Sequence, residues 1–162
     1  MLETIRTLYE LGGIISGGAA VASIFNKRTK DLDFFFNDMK YFIKAQSYAS
    51  PKIDICYYSG PEPYDGFDLS ISQCAIDSNG IIRKSAACQE TLESGIIRII
   101  PTNIAHPYST LKRIIKYTTR YNLQIHPSDL AYVRGAACGR SDDYQHSASH
   151  QQRQSKLLSG NP

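Results

Sequence analysis

The stretch IISGGAAVASIFNKRTKDLDFFF, residues 14–36, contains three different local patterns in a fixed order. Ile14 and Ile15 form a short strand candidate running into Ser16-Gly17-Gly18, and AAVASIF has the composition of a helix. Two glycines between strand and helix let the backbone approach a ligand closely and leave helix-start N–H groups unpaired. Such a turn suits a phosphate chain. NKRTK is a polar loop, after which DLDFFF alternates. Leu32, Phe34 and Phe36 share one face, and Asp31 and Asp33 share the other. Carboxylates one residue apart on a strand are close enough to bridge hard divalent cations, which makes Mg²⁺ the expected ion.

Upstream, Leu2, Ile5, Leu8 and Tyr9 recur at helical spacing, so residues 2–11 read as an amphipathic helix ended by Gly12-Gly13. Downstream, residues 38–48 read as a helix, KIDICYY as an alternating strand, and SGPEPYDG as a loop. Residues 67–76 are expected to form one strand, with Phe67, Leu69 and Ile71 on one side and Asp68, Ser70 and Ser72 on the other. Ser78-Asn79-Gly80 then turns a hairpin into GIIRK. Residues 86–94 read as a short helix and GIIRII as a strand. Residues 108–121 read as a helix striped with Leu111, Ile114, Ile115 and Thr118, and a last helix starts at Pro127.

The sequence has 162 residues, of which 42% are hydrophobic and 20% charged, which suits one compact domain and argues against a membrane protein or a wholly disordered chain. Its net charge of +3 is too mild to establish nucleic-acid binding. No apolar run is long enough to span a bilayer and MLETIRTLYELGG lacks the layout of a secretory signal, so a cytoplasmic protein is expected. Cys56, Cys74, Cys88 and Cys138 form no C-x-x-C pair and read as reduced thiols, Cys56 and Cys74 as buried small hydrophobes. The last residues, from about 138, are rich in Ser, Gln and His and poor in large apolar side chains, so they read as a disordered tail. His146 and His150, at helical metal-pair spacing, fall within it.

In order and spacing, residues 14–36 resemble the glycine turn, helix and D-x-D strand that open the DNA polymerase beta-type nucleotidyltransferases. They are most similar to the head of CCA-adding enzymes and bacterial poly(A) polymerases, with residues 19–30 filling the interval between second glycine and first aspartate. FDLSISQCAIDSNGIIRK, QETLESGIIRII and LKRIIKYTTRYNLQIHP extend the likeness, more loosely, to residue 127. The resemblance implies an α/β (α+β) fold: a small mixed sheet flanked by helices over residues 1–105, followed by a short helical neck over 106–137.

It also implies transfer of a nucleoside monophosphate from an NTP to a hydroxyl, with release of pyrophosphate. Asp31, Asp33 and Asp68 would be the catalytic carboxylates and hold two Mg²⁺ ions, with Mn²⁺ as a substitute. Ser16, Gly17 and Gly18 would hold the triphosphate. Lys30, Arg113 and Lys116 are further nucleotide-binding candidates. Asp54, in KIDIC, competes with Asp68 as third carboxylate, because FDLS also lies on the family's nucleotide-contact strand.

There are departures. Val21 and Ala22 stand where the CCA-adding family has an Arg-Asp pair, and Gly66, Phe67 and Ser72 replace the arginines and asparagine of its nucleotide-contact motif. CCA addition is therefore not expected. The acceptor stays open between an RNA 3′ end, a protein side chain and a small molecule. Activity through a homodimer or second chain, and a non-catalytic regulatory or antitoxin-like protein that keeps the fold, are the alternatives.

Overall fold

The computed structural model describes residues 1–138. The expected tail, with its histidine pair, lies outside them. Helix α1, Leu2–Glu10, leads through Gly12-Gly13 into β1, Ile14–Ser16. Gly13 sits where chain and core meet, and a Cβ there would lie 2.7 Å from the Phe36 ring. Next come α2 (Gly18–Ile24), β2 (Leu32–Phe36), α3 (Met39–Ala45) and β3 (Ile53–Tyr57). The remaining elements are β4 (Cys74–Ile76), β5 (Ile82–Lys84), α4 (Ala86–Ser94), β6 (Ile96–Ile97), α5 (Pro107–Tyr121), β7 (Gln124–Ile125) and α6 (Pro127–Cys138).

Five strands form a mixed sheet in the order β3-β2-β1-β4-β5. β2 and β3 run parallel, and the other three pairings are antiparallel. The alternation of DLDFFF survives: Phe34 and Phe36 are buried with Leu8, Phe42, Ile53 and Ile55 under α1 and α3. A second apolar cluster joins Ala20 and Val21 of α2 to Leu69, Ile71, Cys74, Ile97, Ile114, Tyr117 and Val133. Residues of α5 and α6 thus share a core with those beside the sheet. No helix among the described residues is long and apolar enough to cross a membrane.

Two expectations need correction. Residues 67–76 are not one strand: Leu69 makes an isolated bridge to Ile99, residues 70–72 form a 3₁₀ turn, and only Cys74–Ile76 joins the sheet. Both sides of this segment are buried, because Ser70 Oγ finds partners inside, Thr91 Oγ1 at 2.6 Å and the Arg98 N–H at 2.9 Å. A buried hydroxyl with such partners satisfies its polarity without solvent, so the alternation no longer marks a wet face. GIIRII likewise forms a regular strand only over Ile96–Ile97, paired with β7, beyond which Ile99 makes the isolated bridge to Leu69.

The second correction concerns α5. Its buried face is Thr110, Ile114, Tyr117 and Tyr121, and Ile115 is 59% exposed. Burying two tyrosines removes more area from water than burying one isoleucine. Phe34→Ala is expected to cost about 3–5 kcal/mol, and Ile115→Ala less than about 0.5 kcal/mol, measured by urea unfolding. An equal loss from both would reject this orientation of α5.

Candidate functional site

A cleft of about 400 Å³ opens where the carboxyl end of β1, one face of β2 and β3, the segment 66–72 and α5 meet. Its walls include Gly17, Gly18, Asp33, Asp54, Phe67, Asp68, Arg113 and Tyr117. In the parallel pairing of β2 with β3, Asp33 stands opposite Asp54, and Phe35 opposite Cys56. All four side chains line the cleft, on the sheet face opposite Phe34 and Phe36.

The carboxyl of Asp33 is pushed up to about 6, first by burial and then by the charges of Asp54 and Asp31, with Lys116 pulling the other way. Burial and the same two neighbours, Asp33 and Asp54, hold the Cys56 thiol up at about 12, so it stays protonated. Asp31 lies just before β2, exposed, and reaches the site through its charge and not as part of the wall.

Asp68 is placed differently. Its carboxylate accepts hydrogen bonds from Thr110 and from the Arg113 guanidinium, both on α5. Those partners hold it as one half of a buried ion pair. Asp54 and Asp31, and not Asp68, are the carboxylates whose charge bears on Asp33.

The glycine turn closes the cleft on the side of α2. Gly17 has φ +69 and ψ −133, a conformation that L side chains rarely adopt, and the Phe67 ring lies against it, 3.3 Å from where a Cβ would stand. Ser16 is wholly buried and donates its hydroxyl to the Cys74 carbonyl at 2.7 Å, which also accepts the Gly17 N–H at 3.3 Å. Ser16 therefore holds the turn from behind. Lys116 reaches the turn from α5, its Nζ 3.8 Å from a Cβ built on Gly18. Lys30 is exposed and outside the cleft wall.

Several wall residues carried no sequence signal. Phe67 packs edge-on to Phe35, with ring centroids 5.7 Å apart. The Asn103 side chain donates to the Asp65 and Phe67 carbonyls and fixes the loop that carries that ring. Tyr117 accepts a hydrogen bond from Ser72 Oγ at 3.3 Å. These residues come together only through long-range packing.

No family model matches the chain, and no curated protein matches it in sequence. Solved structures do. Over most of its length the chain shares the fold of CCA-adding enzymes. With the Thermotoga maritima CCA-adding enzyme complexed with tRNA the TM-score is 0.62 at 17% identity, over 83% of this chain and 41% of that one. With the Bacillus stearothermophilus CCA-adding enzyme in complex with CTP it is 0.59 at 11% identity, over 81% and 42%. A CCA-adding enzyme in complex with ATP gives 0.57 at 16% identity, over 83% and 42%. The chain thus spans less than half the length of these structures. The mixed α/β fold shared with these structures is the one that the resemblance of residues 14–127 implies.

The stability consequence of Asp33 has a definite direction. Below its ordinary value of 3.8 the carboxyl is protonated in both folded and unfolded chains. As pH rises from there to about 6, the unfolded chain loses that proton first, so stability falls. Asp33→Asn, which mimics the protonated form, should stabilise the protein by roughly 1–3 kcal/mol at pH 7 and by nothing near pH ~4. Thermal unfolding at both pH values measures this, and a destabilised variant at pH 7 would contradict the placement of Asp33.

Proposed function

We propose that the chain is a nucleotidyltransferase that moves a nucleoside monophosphate from an NTP to a hydroxyl acceptor. The observation that carries this reading is the Asp33–Asp54 pair beside the Gly17-Gly18 turn, in one cleft, within a fold shared with CCA-adding enzymes. The matched structures include complexes with CTP, ATP and tRNA, which supports an NTP as donor.

The donor set suits a hard divalent cation. Burial and mutual repulsion raise the proton affinity of Asp33, and a cation would relieve the same repulsion. Among the described residues no three His, Cys, Asp or Glu side chains converge into a closed metal cage. That matches Mg²⁺, which usually takes one or two carboxylates and completes its shell with water and phosphate. Asp33 and Asp54 would hold it, with Asp31 adding charge, and Mn²⁺ could replace it. When bound it would neutralise phosphate charge and lower the pKa of the attacking hydroxyl.

The chain's own residues supply the rest. Gly17-Gly18 offers backbone to the triphosphate, and Lys116 adds a cation beside it. Phe67, Phe35 and Tyr117 give apolar walls for a nucleoside. Asp68 orients Arg113, so we assign it a positioning role in place of metal binding. The acceptor oxygen forms a bond to the α-phosphorus as the bond to the β-phosphate oxygen breaks. The acceptor proton passes to Asp33 or solvent, and pyrophosphate leaves.

One surface favours RNA as acceptor over protein. Lys112, Lys116 and Arg120 lie along α5, and Arg120 donates to the Arg28 carbonyl, which brings Lys27, Arg28 and Lys30 alongside. All six are exposed, and none makes an ion pair among the described residues. Lys112 and Arg120 sit over the Tyr108 and Tyr121 rings, at 4.7 and 5.5 Å. A cationic track with interleaved aromatic rings fits a single-stranded phosphate backbone.

Incubation with each NTP radiolabelled at the α-phosphate, Mg²⁺ or Mn²⁺ and total cellular RNA and protein tests the reaction. Label should enter RNA, fall by at least about 100-fold in Asp33→Ala, and decline as pH falls, because protons compete with the cation for Asp33. Labelling unchanged in Asp33→Ala would reject the site. No label with any nucleotide would favour the non-catalytic regulatory alternative, which the Phe67 ring on Gly17 supports. For the track, replacing Lys112 and Arg120 by Gln should weaken single-stranded RNA binding and reduce the slope of log K against log salt by about 0.7 per lost contact. A slope that does not change would remove α5 from the RNA path.

A further inference from the structure

Cys74 and Cys88 come from distant parts of the chain, the first residue of β4 and the first turn of α4, and meet in the apolar core. Both are fully buried. Each thiol donates to the same acceptor, the Ile71 carbonyl, at 3.7 Å for Cys74 and 3.6 Å for Cys88. One carbonyl oxygen therefore holds both sulfurs close to it, which brings two buried thiols from distant segments to the same point of the core. Cys56, in the cleft, and Cys138, at the exposed end of α6, take no part.

Packing alone does not require this arrangement, since two small apolar side chains would fill the same space. What sulfur adds is a pair of oxidisable groups gathered on one acceptor.

The position of Cys74 makes the pair consequential. Its carbonyl is the common acceptor for the Ser16 hydroxyl and the Gly17 N–H, so the glycine turn hangs from it. Ile71, which both thiols touch, belongs to the 3₁₀ turn whose Ser72 reaches Tyr117 in the cleft wall. A disulfide needs its sulfurs about 2.05 Å apart with a fixed dihedral, far closer than two unbonded sulfurs can approach. Closing that gap must move Cys74, Cys88 or both.

We propose that Cys74 and Cys88 are a modification site, forming a reversible disulfide when a peroxide oxidises them, and that this bond loosens the Gly17 turn. One thiol of the pair loses its proton and attacks one peroxide oxygen, the O–O bond breaks, and, with that proton returned, sulfenic acid and one water result. The other sulfur then attacks the sulfenic sulfur and loses its own proton, forming the S–S bond and expelling a second water. Two thiols thus give up two electrons and two protons, and one peroxide is reduced to two waters. A dithiol reductant reverses the step. Because the pair is buried, oxidation proceeds through local opening of α4 and is slower than that of exposed Cys138.

The test treats the full chain with hydrogen peroxide, blocks free thiols and maps peptides without reduction. A linked Cys74–Cys88 peptide that dithiothreitol separates is expected, both in the natural sequence and in a Cys56→Ser, Cys138→Ser double variant. Recovery of Cys74 and Cys88 as separately blocked or over-oxidised residues would overturn the disulfide. Hydrogen exchange then reads the coupling: the Gly17 amide, which now donates to the Cys74 carbonyl, should exchange at least about fivefold faster in the oxidised protein. Equal exchange in both forms would overturn the link to the turn. Neither readout needs a nucleotide, so either can fail while the transferase reading stands, and the reverse.

Discussion

Asp33 and Asp54 are like charges fixed opposite each other by the parallel pairing of β2 and β3, and the rest of the cleft is arranged around that repulsion. The backbone ladder makes the approach obligatory, because directly paired positions on neighbouring strands place their side chains on the same face. Phe34 and Phe36 on the opposite face hold the register, since a slip of one residue would put both rings in the cleft and both carboxylates in the core. The core is therefore what keeps the two charges together. Burial and the facing charge raise the proton affinity of Asp33, and a cation placed between the two carboxylates would relieve the same repulsion.

The second carboxylate environment in the cleft resolves the opposite way. Asp68 is as buried as a core residue, yet it has a guanidinium and a hydroxyl on it from one turn of α5. An ion pair so satisfied is a device for orientation more than for stability. It brings Arg113 to the wall and ties α5 to the segment that follows Phe67. One cleft thus contains two carboxylates set against each other and a third already closed in an ion pair.

The glycine turn depends on a third set of contacts, behind the sheet. The Cys74 carbonyl carries two hydrogen bonds from Ser16 and Gly17, while the Cys74 thiol belongs to the core shared with α4 and α5. Motion in that core is transmitted to the turn without crossing the cleft, because interiors packed to crystal density pass strain on rather than absorb it.

Residues 14–36 determined a good deal by themselves. Strand, turn, helix and alternating strand depend on local periodicity and on glycine's freedom at φ +69, and each formed where the sequence indicated. So did α1, α3, α4 and the hairpin at Gly80, all set by short-range patterns and caps. Residues 67–76 were misread because alternation says which side chains share a face but not whether that face is wet, and Thr91 makes the polar side of Ser70 an interior one. The stripe on α5 was misread for the same reason. Which strand lies beside β2 is a long-range choice, and it alone places Asp54, and not Asp68, next to Asp33. Sequence determined the parts of the cleft and the chemistry they can carry; only tertiary packing decided which carboxylates face each other, since that depends on register between segments with no local signal for one another.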